Sequence, residues 1–494
     1  MKRVLLWIIF IVYAAVSGCT MTRHEPWTDE LHSWNIAKGS GSYAELVFNR
    51  RYEGHPPGWY SVLWCVSKYT HNVHSMQVVQ WVLSCMVVFV LLFASPFPDT
   101  IKMLLPFGYF FLFEYAVFSR NYVLGILCAF CICYVMRKEF RFKPVLYYAA
   151  LFCMSNIHLL ALLLGGCLHL YFLLFNIEQR KKTALVVLHA FFGALIMLSA
   201  LYWMQLPADA GIDAVAGFPD PDRVLSSLEA PLRAFMPVPA WWNTHFWNTQ
   251  FLLEARDDSG MGRTLCILVS AACIALTFFI LRKNKKSLAL FGANTLLTLL
   301  VGMLALSLTS TRYTGFIYIG FIAALWLYCY EAPLAINRKR IVTILLLVQL
   351  AAGVFAVIKD IGRPFSQLGR VNELVKKVPA GQQWVTDYWT MNTVVAYTDK
   401  PAYCVDMQMP LSFVTWGPDL KLLESYPNRY TTGIKEVFRQ RAIQTVYMIS
   451  LAPPEMLYEA DSLLAVSYHT ELVDKRDGAI EKGSNLYLYR ITAL

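Results

Sequence analysis

The sequence predicts an α-helical polytopic membrane protein that ends in a small α/β domain on the outer side. Three observations predict it. Of the 494 residues, 57% are hydrophobic and only 15% charged, against about a quarter charged in soluble domains, so much of the surface faces lipid. Apolar runs recur along most of the chain at lengths that suit a bilayer. The basic residues sit in short clusters between those runs.

The first run follows Met1-Lys2-Arg3 and reaches Cys19. A signal peptide has this layout, and Val16-Ser17-Gly18-Cys19 resembles a lipoprotein cleavage site. The many later runs favour an uncleaved first span. A span needs about 20 mostly apolar residues. Runs of that kind lie at roughly 4–20, 75–94, 102–118, 121–136, 145–157, 158–175, 184–204, 264–281, 287–309, 313–330 and 341–358, about 11 spans in all. Trp59–Tyr69 is apolar but too short. It reads as an amphipathic helix at the outer interface, with Trp59, Tyr60 and Trp64 at headgroup level.

The positive-inside rule tests this count. With Lys2 and Arg3 inside, Arg137-Lys138 with Arg141 and Lys143 also falls inside. So do Arg180-Lys181-Lys182, Arg282-Lys283 with Lys285-Lys286, and Arg338-Lys339-Arg340. Making Trp59–Tyr69 a span would move most of these outside. The net charge of +10 therefore belongs to cytoplasmic loops and not to a nucleic-acid surface. The 12 cysteines lie nearly all in apolar runs, as small buried hydrophobes do. Only Cys404 falls in the C-terminal region, which leaves no internal disulfide there.

The expected division is a transmembrane domain over 1–358, with outer loops at 22–74 and 205–262, and an extracytoplasmic α/β domain over 359–494. The last region has helical stretches at Phe365–Val378 and Tyr430–Ala442. Between them lie β-like runs at Trp384–Thr386, Thr393–Tyr397, Thr445–Ile449 and Leu486–Ile491. No repeat and no low-complexity segment occurs.

The first outer loop, Trp27 to Tyr60, carries Asp29-Glu30 and then Glu53-Gly54-His55-Pro56-Pro57. An arbitrary acidic pair is usually solvated. Here the pair closely follows a span, and His55 returns to the same surface against a rigid double proline. A carboxylate held there can take a proton from an attacking hydroxyl. Arg120-Asn121-Tyr122, Asn156-Ile157-His158 and Arg312-Tyr313 lie at three further outer junctions. A lone arginine can snorkel to the interface, but this set gathers arginines, an imidazole and acids at one level. Guanidinium groups bind phosphate bidentately, so the set suits a substrate with a lipid tail and a phosphate.

These residues resemble the GT-C membrane glycosyltransferases. The Asp-Glu after the first span, the His-Pro-Pro opening an interfacial helix, the Ser-Arg-x-Tyr, the Asn-x-His and the late Arg-Tyr carry the resemblance over about residues 1–330. The branch is that of bacterial relatives of protein O-mannosyltransferases and of lipid A aminoarabinose transferase. The resemblance implies a polyprenyl-phosphate-linked sugar donor in the cytoplasmic (inner) membrane and an outer or periplasmic active site. The expected acceptor is an envelope glycan, lipid or protein, and with the basic charge in loops no nucleic-acid partner is expected. It implies Asp29 as base or acceptor-orienting group and His55 near the donor phosphate. Glu30 is the second catalytic candidate, and the placement of Arg120, Tyr122, His158, Arg312 and Tyr313 at the outer junctions makes them the candidate substrate-binding residues. Some members bind a divalent metal cation, for which Glu53 and His158 are the candidates here. Asp29 on the opposite face of the sugar would favour inversion, by analogy with other glycosyl transfer. A transporter or flippase of lipid-linked glycans, and a polymerase or ligase using a lipid diphosphate, remain alternatives.

Overall fold

The computed structural model describes residues 2–137, 142–176, 183–211, 220–256, 260–425 and 427–494. The basic residues Lys138, Arg141 and Arg180-Lys181-Lys182 lie outside the described residues. In chain order the helices are α1 (Lys2–Arg23), α2 (Thr28–Gly39), α3 (Tyr43–Asn49), α4 (Gly58–Ser67), α5 (Ser75–Phe93), α6 (Asp99–Leu104), α7 (Tyr122–Met136) and α8 (Lys143–Ser155). Then come α9 (Leu159–Tyr171), α10 (Thr183–Met204), α11 (Pro221–Phe235), α12 (Phe251–Ala255), α13 (Gly260–Leu281), α14 (Lys285–Leu304), α15 (Thr311–Glu331) and α16 (Ile336–Gly362). The C-terminal region adds α17 (Val371–Val375), α18 (Met391–Thr398), α19 (Pro418–Ser425) and α20 (Arg429–Arg441).

The chain divides into two compact units. The first comprises Met1–Thr22, Val78–Met204 and Ala214–Lys359. The second comprises Arg23–Gln77, Gln205–Asp213 and Asp360–Leu494, so most of the first outer loop groups with the C-terminal region.

Seven helices among the described residues are long and apolar enough to cross a membrane, and Tyr122–Met136 and Leu159–Phe175 are shorter apolar helices. Within the first unit α15 is the central element, with 83% of its apolar window buried, against 11% for α10. α1 passes unbroken through Val16–Cys19. The expected span at 102–118 is not one helix. α6 stops at Leu104, a 3₁₀ turn covers Leu105–Phe107, and a π-helical turn covers Phe110–Glu114. Pro106 lacks the N–H that an α-helix needs, and Gly108 is extended at φ −67° and ψ 155°. Irregular backbone at membrane depth is tolerated when protein covers it, and Tyr109 through Tyr122 are all buried.

In the second unit a six-stranded sheet has the order β3-β2-β1-β4-β6-β5. The strands are β1 (Trp384–Thr386), β2 (Ala402–Cys404), β3 (Met409–Leu411), β4 (Thr445–Ser450), β5 (Tyr468–Arg476) and β6 (Leu486–Ala493). β1 pairs in parallel with β2 and β4, and the remaining pairs are antiparallel. Val385, Val446, Met448 and Ile491 from the sheet pack with Ile434 and Val437 of α20.

Three further expectations need correction. Thr393–Tyr397 is helical, inside α18: its β-branched residues favour strand, but Asp387 Oδ1 accepts from both the backbone N–H and the hydroxyl of Thr390 and starts the helix. Phe365–Val378 holds only a 3₁₀ turn and the short α17. Trp59 and Tyr60 of α4 are 1% and 2% exposed, so their side chains are covered by the protein and not presented to headgroups.

Candidate functional site

The Asp-Glu pair opens α2. Asp29 and Glu30 are the second and third residues of its first turn, where carboxylates favour the positive end of the helix dipole. Glu30 is fully buried. Its Oε2 accepts from the Trp27 N–H at 3.1 Å and lies 3.5 Å from His24 Nε2. On its other side His24 Nδ1 meets Asp360 Oδ2 at 3.1 Å. Burial alone would lower the pKa of His24; the carboxylates of Asp360 and Glu30 outweigh it and raise it to about 10. Asp29, one residue earlier, is only half-buried.

The second segment of this unit forms a tight turn. Gly54 takes a left-handed φ of +63°, which glycine adopts without steric cost. Pro56 and Pro57 are buried and lead into α4. His55 is half-buried, and its carbonyl accepts from Arg50 Nη1 at 2.6 Å. Glu53 is buried. Its Oε2 receives His32 Nε2 at 2.9 Å and the Tyr60 hydroxyl at 3.2 Å.

The first unit brings Tyr122, His158, Arg312 and Tyr313 together, and Arg120 lies two residues ahead of Tyr122. Three helices start there: Tyr122 opens α7, His158 caps α9, and Arg312 is the second residue of α15. His158 Nδ1 accepts from the Leu160 N–H at 3.1 Å, which anchors the imidazole at the helix end. Its ring lies 4.9 Å from that of Tyr122 and 6.0 Å from that of Tyr313. The Arg312 guanidinium lies 5.3 Å over the Tyr313 ring and 5.9 Å over Trp247. Arg120 precedes α7 and is 8% exposed. Three helix starts and the Arg312 guanidinium lie in one neighbourhood, and helix N-termini and guanidinium groups are both groups that anions favour.

The same neighbourhood holds residues that the sequence did not single out. Glu114, in the π-helical turn, accepts from the Tyr109 hydroxyl at 2.9 Å and from Trp247 Nε1 at 3.2 Å. Asn248, at a left-handed φ of 60°, accepts from the Thr311 N–H at 3.0 Å and so caps α15 from another segment. In the second unit His24, His32 and Asp360 were missed. An acid closing an apolar run, as Asp360 does, was the available signal. Glu53 and His158 belong to different units, and among the described residues no three of His, Cys, Asp and Glu are grouped as metal ligands.

No family model and no curated protein matches the chain. Among solved structures it is similar to the crystal structure of ArnT from Cupriavidus metallidurans bound to undecaprenyl phosphate. The identity is 14%, the TM-score 0.55, and the match covers 99% of this chain and 97% of that one. That likeness bears on the fold alone: the chain shares with that structure a helical part with several apolar helices and a C-terminal mixed sheet.

Proposed function

We propose that the chain is an integral membrane glycosyltransferase that moves a sugar from a polyprenyl-phosphate donor to an acceptor hydroxyl on the outer face of the cytoplasmic membrane. The observation that carries this reading is the cluster of Tyr122, His158, Arg312 and Tyr313 at the starts of α7, α9 and α15, with Arg120 just ahead of α7 in the chain. The likeness to a structure that holds undecaprenyl phosphate supports it.

In this reading the acceptor oxygen bonds to the anomeric carbon, and the bond from that carbon to the phosphate oxygen breaks with its electron pair going to the phosphate. The acceptor proton passes to Asp29. Arg120, Arg312 and the helix N-termini stabilise the charge that grows on the leaving phosphate. His55 also serves the donor phosphate. The chemistry suits the compartment, because nucleotide sugars are made in the cytoplasm and a lipid-linked sugar crosses the bilayer.

The transporter reading has one observation in its favour, the broken run from Asp99 to Arg120, since transporters use discontinuous helices. One assay separates the two: purified protein in detergent with a short-chain polyprenyl-phospho-sugar and a pool of envelope acceptors. A transferase releases polyprenyl phosphate without two compartments, and Arg120→Ala lowers that rate roughly ten- to a hundredfold, with Arg120→Lys intermediate. Donor that is bound but never consumed, together with its movement across reconstituted vesicles, favours the transporter.

A further inference from the structure

The strongest unexplained arrangement is a buried polar chain in the second unit that runs from the C-terminal region to the turn carrying His55. We propose that His32 and Asn392 are positioning residues for that turn, with His32 the link between them. The inference rests on the reading of the turn as part of the donor site.

Asn392 is 2% exposed and His32 is 3% exposed. Asn392 Nδ2 lies 3.0 Å from His32 Nδ1. Asn35 Nδ2 donates to the Asn392 carbonyl at 2.7 Å and approaches its Oδ1 at 3.4 Å. These partners settle the Asn392 amide. Reversed, its nitrogen would face the Asn35 nitrogen, donor against donor. With the amide nitrogen toward the imidazole, His32 Nδ1 must accept, so the ring hydrogen sits on Nε2. Nε2 then donates to Glu53 Oε2 at 2.9 Å, and the Tyr60 hydroxyl donates to the same oxygen at 3.2 Å.

Glu53 is where the turn begins, and its own N–H donates to the Arg50 carbonyl at 2.9 Å. Two residues on, the His55 carbonyl is held by Arg50 Nη1. Gly54 between them lacks a side chain to restrict it, so without an anchor on Glu53 this joint is loose. Held at Glu53, at His55 and by the double proline, the turn presents His55 in one orientation. A misplacement of about 1 Å at a reacting centre costs on the order of a hundredfold in rate, so such an anchor bears on turnover.

The competing role for His32 is plain packing, since its ring stacks on Trp416 at 4.7 Å. Two substitutions separate the roles. His32→Phe keeps an aromatic ring for Trp416 and removes the N–H. His32→Gln loses the ring and keeps an amide donor within reach of Glu53. The full chain in detergent is measured two ways: backbone hydrogen exchange at Glu53, Gly54 and His55 without substrate, and kcat and KM for a polyprenyl-phospho-sugar. His32→Phe and Asn392→Ala are expected to speed exchange in the turn roughly tenfold and to lower kcat/KM roughly ten- to a hundredfold. His32→Gln is expected to stay within a few-fold of the parent in both. Parent-like exchange in His32→Phe with fast exchange in His32→Gln overturns the proposal. If the parent itself shows no turnover, the proposed function fails, while the exchange measurement still decides whether His32 and Asn392 hold the turn.

Discussion

At the scale of single residues, Asp29 and Glu30 show how neighbours in sequence part in role. Successive helical residues point about 100° apart, and in α2 that rotation sends Glu30 inward to His24 and leaves Asp29 half-buried. Asp29→Asn is therefore expected to keep the melting temperature of the parent and to abolish transfer. Glu30→Gln weakens the contact with His24 and is expected to cost about 1–3 kcal/mol of stability, with turnover retained in the folded fraction. Thermal unfolding in detergent beside the transfer assay checks both, and normal turnover in Asp29→Asn removes it as the base. The acids were legible in the sequence, but their helix was not. Thr28–Gly39 mixes Leu31, Trp34 and Ile36 with polar residues, and its buried set includes His32, Ser33 and Asn35. A helix that buries polar groups in hydrogen bonds carries no apolar stripe to read.

At the scale of elements, the candidate anion site is a matter of where helices begin. The sequence placed Arg120, His158 and Arg312 at helix junctions, because each borders a long apolar run. It did not show what holds those starts. α15 begins at Thr311 with a cap supplied from Asn248, whose carbonyl in turn accepts from Arg233 Nη1 at 2.9 Å. Asn248 tolerates its left-handed φ better than alanine does. Asn248→Ala is expected to lose cap and backbone preference together, about 1–3 kcal/mol, and to raise KM for the donor by moving Arg312. Asn248→Asp keeps the acceptor and is expected to stay close to the parent. Equal donor KM in the parent and Asn248→Ala would show that the start of α15 does not set Arg312. The same scale shows where sequence reading stops. A 17-residue apolar run at 102–118 has the composition of a span, and only Pro106 and Gly108 announced the break. β5 was passed over because it reads Tyr-His-Thr-Glu-Leu-Val-Asp-Lys-Arg, the charged pattern of a protected edge strand.

At the scale of the molecule, the apolar runs and the charges between them were legible because a bilayer imposes both. Three of the described basic residues share one end of the bundle. α7 and α15 meet at their starts through Tyr122 and Tyr313, 6.3 Å apart, and at their ends through Arg137 and Glu331, 2.6 Å apart. The two helices therefore run parallel. Glu331 also receives Asn284 Nδ2 at 2.8 Å and lies 3.7 Å from Lys286. Arg338 donates to the Tyr328 hydroxyl at 2.6 Å. So Arg137, Lys286 and Arg338 gather at the end of the bundle where α15 finishes, and Arg312 lies at the end where it starts. α16 sets out from the basic end and runs 27 residues, about 40 Å, enough to cross the hydrocarbon core. The positive-inside rule makes the cytoplasm the expected side for the basic end, and on that expectation the chain leaves α16 on the outer side. A reporter active only in the cytoplasm, fused after Leu494, is expected to be silent, and one active only outside is expected to work. The broken run at 102–118 makes this a sharp test. If the run does not cross, the spans before and after it change sides relative to each other, and either Lys2-Arg3 or the Arg137 end must sit outside. A second reporter placed after Met136 then reads the same side as one before Lys2 only if the broken run crosses. Opposite readings would show that it turns back, and the N-terminus and the main basic cluster would lie on different faces.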